Sequence, residues 1–385
     1  MTPRERVLST VKGQSVDRVP VFYWLNPHAA CQMMSTNWPA KSKINNFLGK
    51  FFWKQFLKEK SWMSRDNRNF LPLVMHMYAN RQYVMELGAD MANMNYGSKD
   101  YWLKESYKEN GKKRIRDGFG SLRGMGGIYL EVIEPSIKDI NDIINFNFPD
   151  ATDDKHYTAI RKFRAKYPDA CIYTDNFGVQ DLPATNIWEM SQFLLAMVDY
   201  PDEIKTFQKR FADYMIDIAL RSIEAGSDVI IIYDDYGYTD RTLISMEMWK
   251  EFTYPHLKRQ VEAIHEAGGI AMLHSCGYQM PFLPHYVEIG VDMLQSMQPK
   301  AGNDFAEAYR EFGDKLTFVT GIDIQQGEMM TPHELREDIL KAYRTGGRNG
   351  RHILGMTHML QYTMPQENMQ TIFQTVSEIQ AGMHD

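Results

Sequence analysis

His274 and Cys276 stand two residues apart in GGIAMLHSCGYQM, residues 268–280, where an apolar run stops at a glycine. Residues two apart on an extended segment point to the same side, so an imidazole and a thiol would reach one centre. Thiolate with imidazole is a borderline-soft donor pair suited to zinc, and a catalytic zinc takes about three protein ligands with one position open. Plain packing is the alternative, because free cysteine is among the most buried residue types. His358, in ILGMTHMLQYTMPQEN, ends another apolar run and is a candidate third ligand, with a hydrogen-bonded loop histidine as the competing reading. Asp234 and Asp235 follow VIIIY, and Asp323 stands in GIDIQ. Each is a candidate general acid or base, ligand, or holder of a ligating histidine. Neighbouring strand residues face opposite ways, so one of Asp234 and Asp235 is expected inward while the other caps the following segment. Asp175 ends a further run, where turn chemistry competes with a functional role. Tyr23, Trp24, Phe177 and Tyr236 are candidates for an apolar substrate pocket, with Asp175 and Gln298 as its polar members.

Eight apolar or β-branched runs carry or precede these residues: 18–24, 89–97, 170–178, 227–237, 269–277, 291–299, 316–325 and 352–359. Amphipathic stretches with helical spacing separate the later ones, as at 201–226 and 245–268, and glycine follows both, as expected past a helix C-terminus. Strand alternating with helix implies a parallel sheet. Eight strands fit a closed (β/α)₈ TIM barrel better than an open doubly wound sheet, and no G-x-G-x-x-G follows an early strand. In such a barrel the strand C-termini converge on one face, where polar residues do chemistry. Two segments depart from the alternation and read as insertions. Residues 30–85 look helical, and residues 100–124 look like a polar hairpin turning at Asn110-Gly111. The economical organisation is one domain over residues 1–385.

Composition narrows the function classes. The chain has 385 residues with 44% hydrophobic and 24% charged content, ordinary for a globular protein. A net charge of −6 argues against a broad nucleic-acid surface, and no apolar run approaches the roughly 20 residues that span a bilayer. Cys31, Cys171 and Cys276 form no disulfide framework, which points to a reducing, cytoplasmic setting. The 26 methionines suit either core gap-filling or an adaptable ligand cavity.

The order MTPRERV…DRVPV, DDYG, PHLKRQVEAIHEAG-x-x-x-x-LHSCG, VEIGVD, FGDKLTFVTGIDIQ and a closing histidine loop with P-x-E-N resembles the uroporphyrinogen decarboxylase superfamily. The resemblance covers nearly the whole chain, most specifically over 220–370 and least over 30–85. Within that superfamily the H-x-C pair is similar to the cobalamin-dependent methyltransferase branch. Those enzymes are (β/α)₈ barrels that bind zinc and exchange methyl groups with a corrinoid on a separate protein.

Carried over residue by residue, the resemblance makes His274 and Cys276 zinc (Zn2+) ligands. In the coenzyme M methyltransferases the third ligand is a later cysteine in the loop before P-x-E-N. Counting back seven from Pro365 reaches His358 instead. That departure weighs against thiol methylation and suits a demethylase. The decarboxylases' early arginine-rich motif is also missing, since VFYWLNPHAAC has no arginine to meet a many-carboxylate tetrapyrrole. The resemblance therefore implies an O-demethylase-type methyltransferase that moves a methyl group from a small methoxylated compound, such as a methoxyarene, to cob(I)alamin. Zinc would act as a Lewis acid on the ether oxygen, or alternatively Asp234, Asp235 or Asp323 would protonate it. The chain has no D-x-H-x-x-G of its own, so a partner corrinoid protein is implied. A homodimer is compatible with these features. The alternatives are a decarboxylase of another carboxylated substrate and a methylcobalamin:thiol methyltransferase.

Overall fold

The computed structural model describes residues 1–35, 50, 79–97, 104–110, 112–126, 129–348 and 350–384. Most of the helical insertion expected over 30–85 therefore lies outside the described residues. The strands, in chain order, begin with β1 (Val21–Phe22), β2 (Met91–Asn93), β3 (Glu105–Glu109), β4 (Lys112–Arg116), β5 (Leu122–Gly126) and β6 (Tyr129–Glu134). They continue with β7 (Cys171–Phe177), β8 (Val229–Tyr233), β9 (Ile270–His274), β10 (Met293–Gln295), β11 (Thr317–Ile322) and β12 (His352–Met356).

Eight of them form a nearly closed parallel barrel in the order β1-β12-β11-β10-β9-β8-β7-β2, so each of the eight apolar runs contains a barrel strand. No ladder joins β1 to β2. A backbone bond from the Asp90 N–H to the Val21 carbonyl (2.9 Å) bridges the seam. The Asp90 carboxylate adds an acceptor for the Val21 N–H at 2.8 Å. Arg6 and Arg18 hold that carboxylate from the other side.

Alternation along the strands builds two packing zones. Phe22, Cys171, Tyr173, Ile231, Met272 and Met293 fill the barrel interior, joined by Val7 and Val11 of the helix Pro3–Val11. Met91, Met272 and Met293 are all fully buried, so the methionine bias serves core filling here. The opposite faces, such as Ile230, Ile232 and Leu273, meet the outer helices. The longest is Pro201–Glu224, whose Ile204, Phe207, Phe211, Met215 and Ile218 are buried at three- and four-residue spacing. It begins with proline at its N-terminus and ends before Gly226 at φ +111°. No helix among the described residues is long and apolar enough to cross a membrane.

The polar hairpin is present as antiparallel β3 and β4, with Asn110 at φ 50° in its turn. It is half of a four-stranded antiparallel sheet that continues through β5 and β6 to Glu134, beyond the expected limit at 124. Tyr129–Glu134 reads YLEVIE, an alternation that pairs with β5 and places Glu131 and Ile133 at the surface.

Candidate metal centre at the barrel mouth

β9 ends at His274, and continued alternation brings Cys276 to the same inward side. His274 Nε2 and Cys276 Sγ are 3.4 Å apart. One ligand atom each from His274, Cys276 and His358 lies within 4.8 Å of the others. Zinc bonds of about 2.0–2.3 Å in a tetrahedron put neighbouring donors roughly 3.5 Å apart, so the cluster matches the ion with a small contraction. The donor chemistry also fits. The side chain of Gln295 accepts a hydrogen bond at His274 Nδ1, which leaves the Nε2 lone pair facing Cys276. Burial, with His274 adding to it, lowers His358 to about 4, so it is neutral and able to donate a lone pair. Burial and nearby Asp235 push the Cys276 thiol well up, and a cation held by the three donors would pull it down to the thiolate.

The donors come from the ends of two strands that are not neighbours, β9 and β12, and Gln295 on β10 ties them together. Its Oε1 meets His274 and its Nε2 donates to the Met356 carbonyl at 2.8 Å, two residues before His358. Replacing Gln295 with leucine should lower zinc affinity about 10–100-fold, the usual cost of losing an orienting partner. Competition with a chromophoric chelator measures it, and an unchanged affinity would remove the orienting role.

The loops after β8 and β9 are laced backbone to backbone. Gly237 N–H donates to the Cys276 carbonyl at 3.2 Å, and Tyr278 N–H to the Tyr238 carbonyl at 2.9 Å. A Cβ on Gly237 would stand 2.3 Å from the Tyr278 nitrogen, so only glycine allows this approach. Asp235, half-exposed, accepts from the Cys276 N–H at 2.8 Å and lies 3.8 Å from His274 Nε2. Asp181, absent from the sequence-based candidates, is raised to about 7 by burial and by Asp235.

Aromatic rings surround the donors. Trp24 is 5.2 Å from the His358 ring and 5.5 Å from that of His274, while Tyr233 is 5.1 Å from His274. Phe177 stands 5.9 Å from Tyr233. Asp175 faces the same space, its Oδ1 taking bonds from Asn93 at 2.7 Å and Tyr233 at 3.3 Å.

Five sequence-based candidates are placed elsewhere. Asp234 has the outward parity of Ile232; buried against Gly178, it accepts from the Gln180 and Asp181 N–H groups at 3.1 and 2.6 Å. Burial raises its carboxyl to about 8. Asp323 caps the short helix Ile324–Gly327, because Gly321 at φ +110° breaks the alternation of β11 before it. It lines a lateral cleft with Asp338 and Lys341. Tyr23 points outward onto Phe373 (4.9 Å), and Tyr236 packs among Trp249, Phe282 and Tyr286. Gln298 spends its carbonyl oxygen on the Gly277 N–H at 2.8 Å, bracing the Cys276 loop. Signals for the residues missed were unequal. Tyr233 follows from the parity of Ile231, whereas nothing in the sequence marks Asp181.

Residues 130–379 match the family model described as uroporphyrinogen decarboxylase (URO-D). No curated protein matches the chain. Among solved structures, a methyltransferase from Methanosarcina mazei is similar with a TM-score of 0.68 at 18% identity, covering 98% of this chain and 99% of that one. A B12-independent methionine synthase from Shewanella sp. W3-18-1, solved with selenomethionine, aligns with a TM-score of 0.48 at 13% identity over 83% of this chain and 89% of that one.

Proposed function

The chain belongs to the uroporphyrinogen decarboxylase family, and from that membership we propose that it is a zinc-dependent methyltransferase of the corrinoid-dependent O-demethylase type. Its substrates would be a small methoxylated arene and the cobalamin of a partner corrinoid protein. The observation that carries the reading is the convergence of two imidazoles and a thiol at the barrel mouth, beside a wall of aromatic rings. The end-to-end fold likeness to a methyltransferase supports it.

His274, Cys276 and His358 would hold the zinc, which when bound supplies a Lewis acid for the ether oxygen. The methyl group would pass from that oxygen to the partner's cobalamin as co-substrate, with the C–O electron pair staying on the phenolate. This chain's residues make that departure feasible. Trp24, Phe177 and Tyr233 confine the ring and exclude water, which holds the methyl group in line for transfer. Asp235 stands beside the donors, its carboxylate half-exposed and braced on the Cys276 N–H, and fixes the loop that carries the thiol. Asp234 and Asp323 have no part in this scheme, being committed to capping.

The test supplies the purified chain with a reduced corrinoid protein and a panel of methoxyarenes, and follows the cobalt absorption spectrum. Conversion of the Co(I) spectrum to the methylated form, with one phenol released per cobalt, is the expected outcome. Release of carbon dioxide from a carboxylated substrate without cobalt methylation would replace this reading with a decarboxylase.

A further inference from the structure

We infer that the barrel mouth is built for a substrate that carries a carboxylate, received by the Arg81 guanidinium across the aromatic wall from the three metal donors. The inference rests on the methyl-transfer reading for what happens to the substrate, and on geometry alone for how it is held.

Arg81 lies in the turn Ala79–Tyr83 just before β2, and Asn80 of that turn bonds both backbone groups of Leu25 at 2.8 Å. The turn is thereby fixed at the C-terminal end of the first strand. Arg81 Nε donates to the Asn93 carbonyl at 3.2 Å, at the same end of β2. Its two Nη groups have no hydrogen bond or ion pair among the described residues. Arg6, Arg123 and Arg164 behave differently, each meeting a carboxylate directly. A largely buried guanidinium with no directly paired carboxylate among the described residues is costly, and burial lowers Arg81 to about 10 despite the pull of Asp175. Such a group with a free bidentate edge is the recognition element for a carboxylate.

Asp175 is the nearest acid, but it does not pair with Arg81. Its Oδ1 is occupied by Asn93 and Tyr233. Burial raises its carboxyl to about 6, against the hydrogen bonds of Asn93 and Tyr233 and the charge of Arg81. Arg81, Tyr233 and Tyr173 are the titratable groups that couple to it. Below that pH Asp175 is neutral and does not compete for the guanidinium. Tyr233 links the two ends of the space, with its hydroxyl on Asp175 and its ring against His274. A flat ring lying along Trp24, Phe177 and Tyr233 would direct one substituent to the donors and the opposite one to Arg81.

Calorimetric titration of the full chain with 4-methoxybenzoate and with its neutral isostere 4-methoxybenzamide tests this without any corrinoid. The acid should bind at least tenfold more tightly. Arg81→Gln should abolish that preference, and Arg81→Lys should keep part of it, each checked for folding by circular dichroism. Affinity for the acid should fall as pH rises through about 6, and Asp175→Asn should remove that fall. Equal binding of acid and amide by the wild type, or an acid preference that survives in Arg81→Gln, would overturn the inference. Arg81-dependent binding of the acid without methylation of reduced corrinoid protein would overturn the methyl-transfer reading and leave the anion site standing.

Discussion

Purified wild-type chain is expected to carry about one zinc, and His274→Ala to carry almost none, when both are measured by elemental analysis. With three protein donors, losing one leaves a two-ligand site that cannot compete with buffer or with other proteins for zinc. The associated loss of methyl transfer should be large. Lewis-acid assistance is worth several kcal/mol, and about 4 kcal/mol is a roughly thousandfold change in rate. Cys276→Ser should retain some metal but bind it more weakly, because a hydroxyl is a poorer partner than a thiolate for a borderline-soft ion. Folding has to be followed alongside, since both side chains are packed. His274 is 4% exposed, and a melting curve separates metal loss from collapse. Equal, negligible zinc in wild type and variant would end the metal reading and leave HSCG as core packing.

The second large effect concerns the barrel seam. Asp90→Ala should destabilise the fold by about 3–5 kcal/mol, the usual cost of removing one partner from a buried ion pair. Arg6 is 5% exposed in its side chain and would keep Asp17, which is 43% exposed, as its remaining carboxylate partner. The Val21 N–H would lose its acceptor as well. Burial pushes the Asp90 carboxyl up even with two guanidiniums pulling it down, so the cluster is finely balanced and its cost appears on breaking it. With the usual unfolding entropy per residue, the melting temperature should drop by roughly 4–6 °C. Asp90→Asn, which keeps an acceptor for Val21, should fall between. A change below about 1 kcal/mol for Asp90→Ala would mean that the seam is held by something other than this carboxylate.

The eight barrel strands were legible because each is a short apolar run, and runs such as VIIIY leave little choice of conformation. Which side chains face inward was legible only where alternation persists. It holds through β9 into Cys276, and it separates Asp235 from Asp234. It fails at β11, where a single glycine at positive φ redirects Asp323 to a cap. Tyr236 and Tyr23 looked like pocket residues because composition cannot distinguish an aromatic ring facing the mouth from one facing the helices. Gln295 ends its strand, but its role depends on reach across β11 to the Met356 carbonyl, which no local pattern encodes. Arg81 sat inside a stretch whose composition suggested only a helical elaboration.

The Asn80 amide and the Leu25 peptide form a reciprocal pair of hydrogen bonds between positions 55 apart. Topologically this is a staple, and it makes the intervening segment a cycle whose two feet stay put whatever lies between them. Closing a loop costs only about 0.6 kcal/mol more for each doubling of its length, so the barrel is nearly indifferent to how much chain is threaded there. The same staple fixes the position of Arg81, its immediate neighbour. Chain inserted between the two feet can therefore change in length without shifting the end of the first strand or the Arg81 backbone.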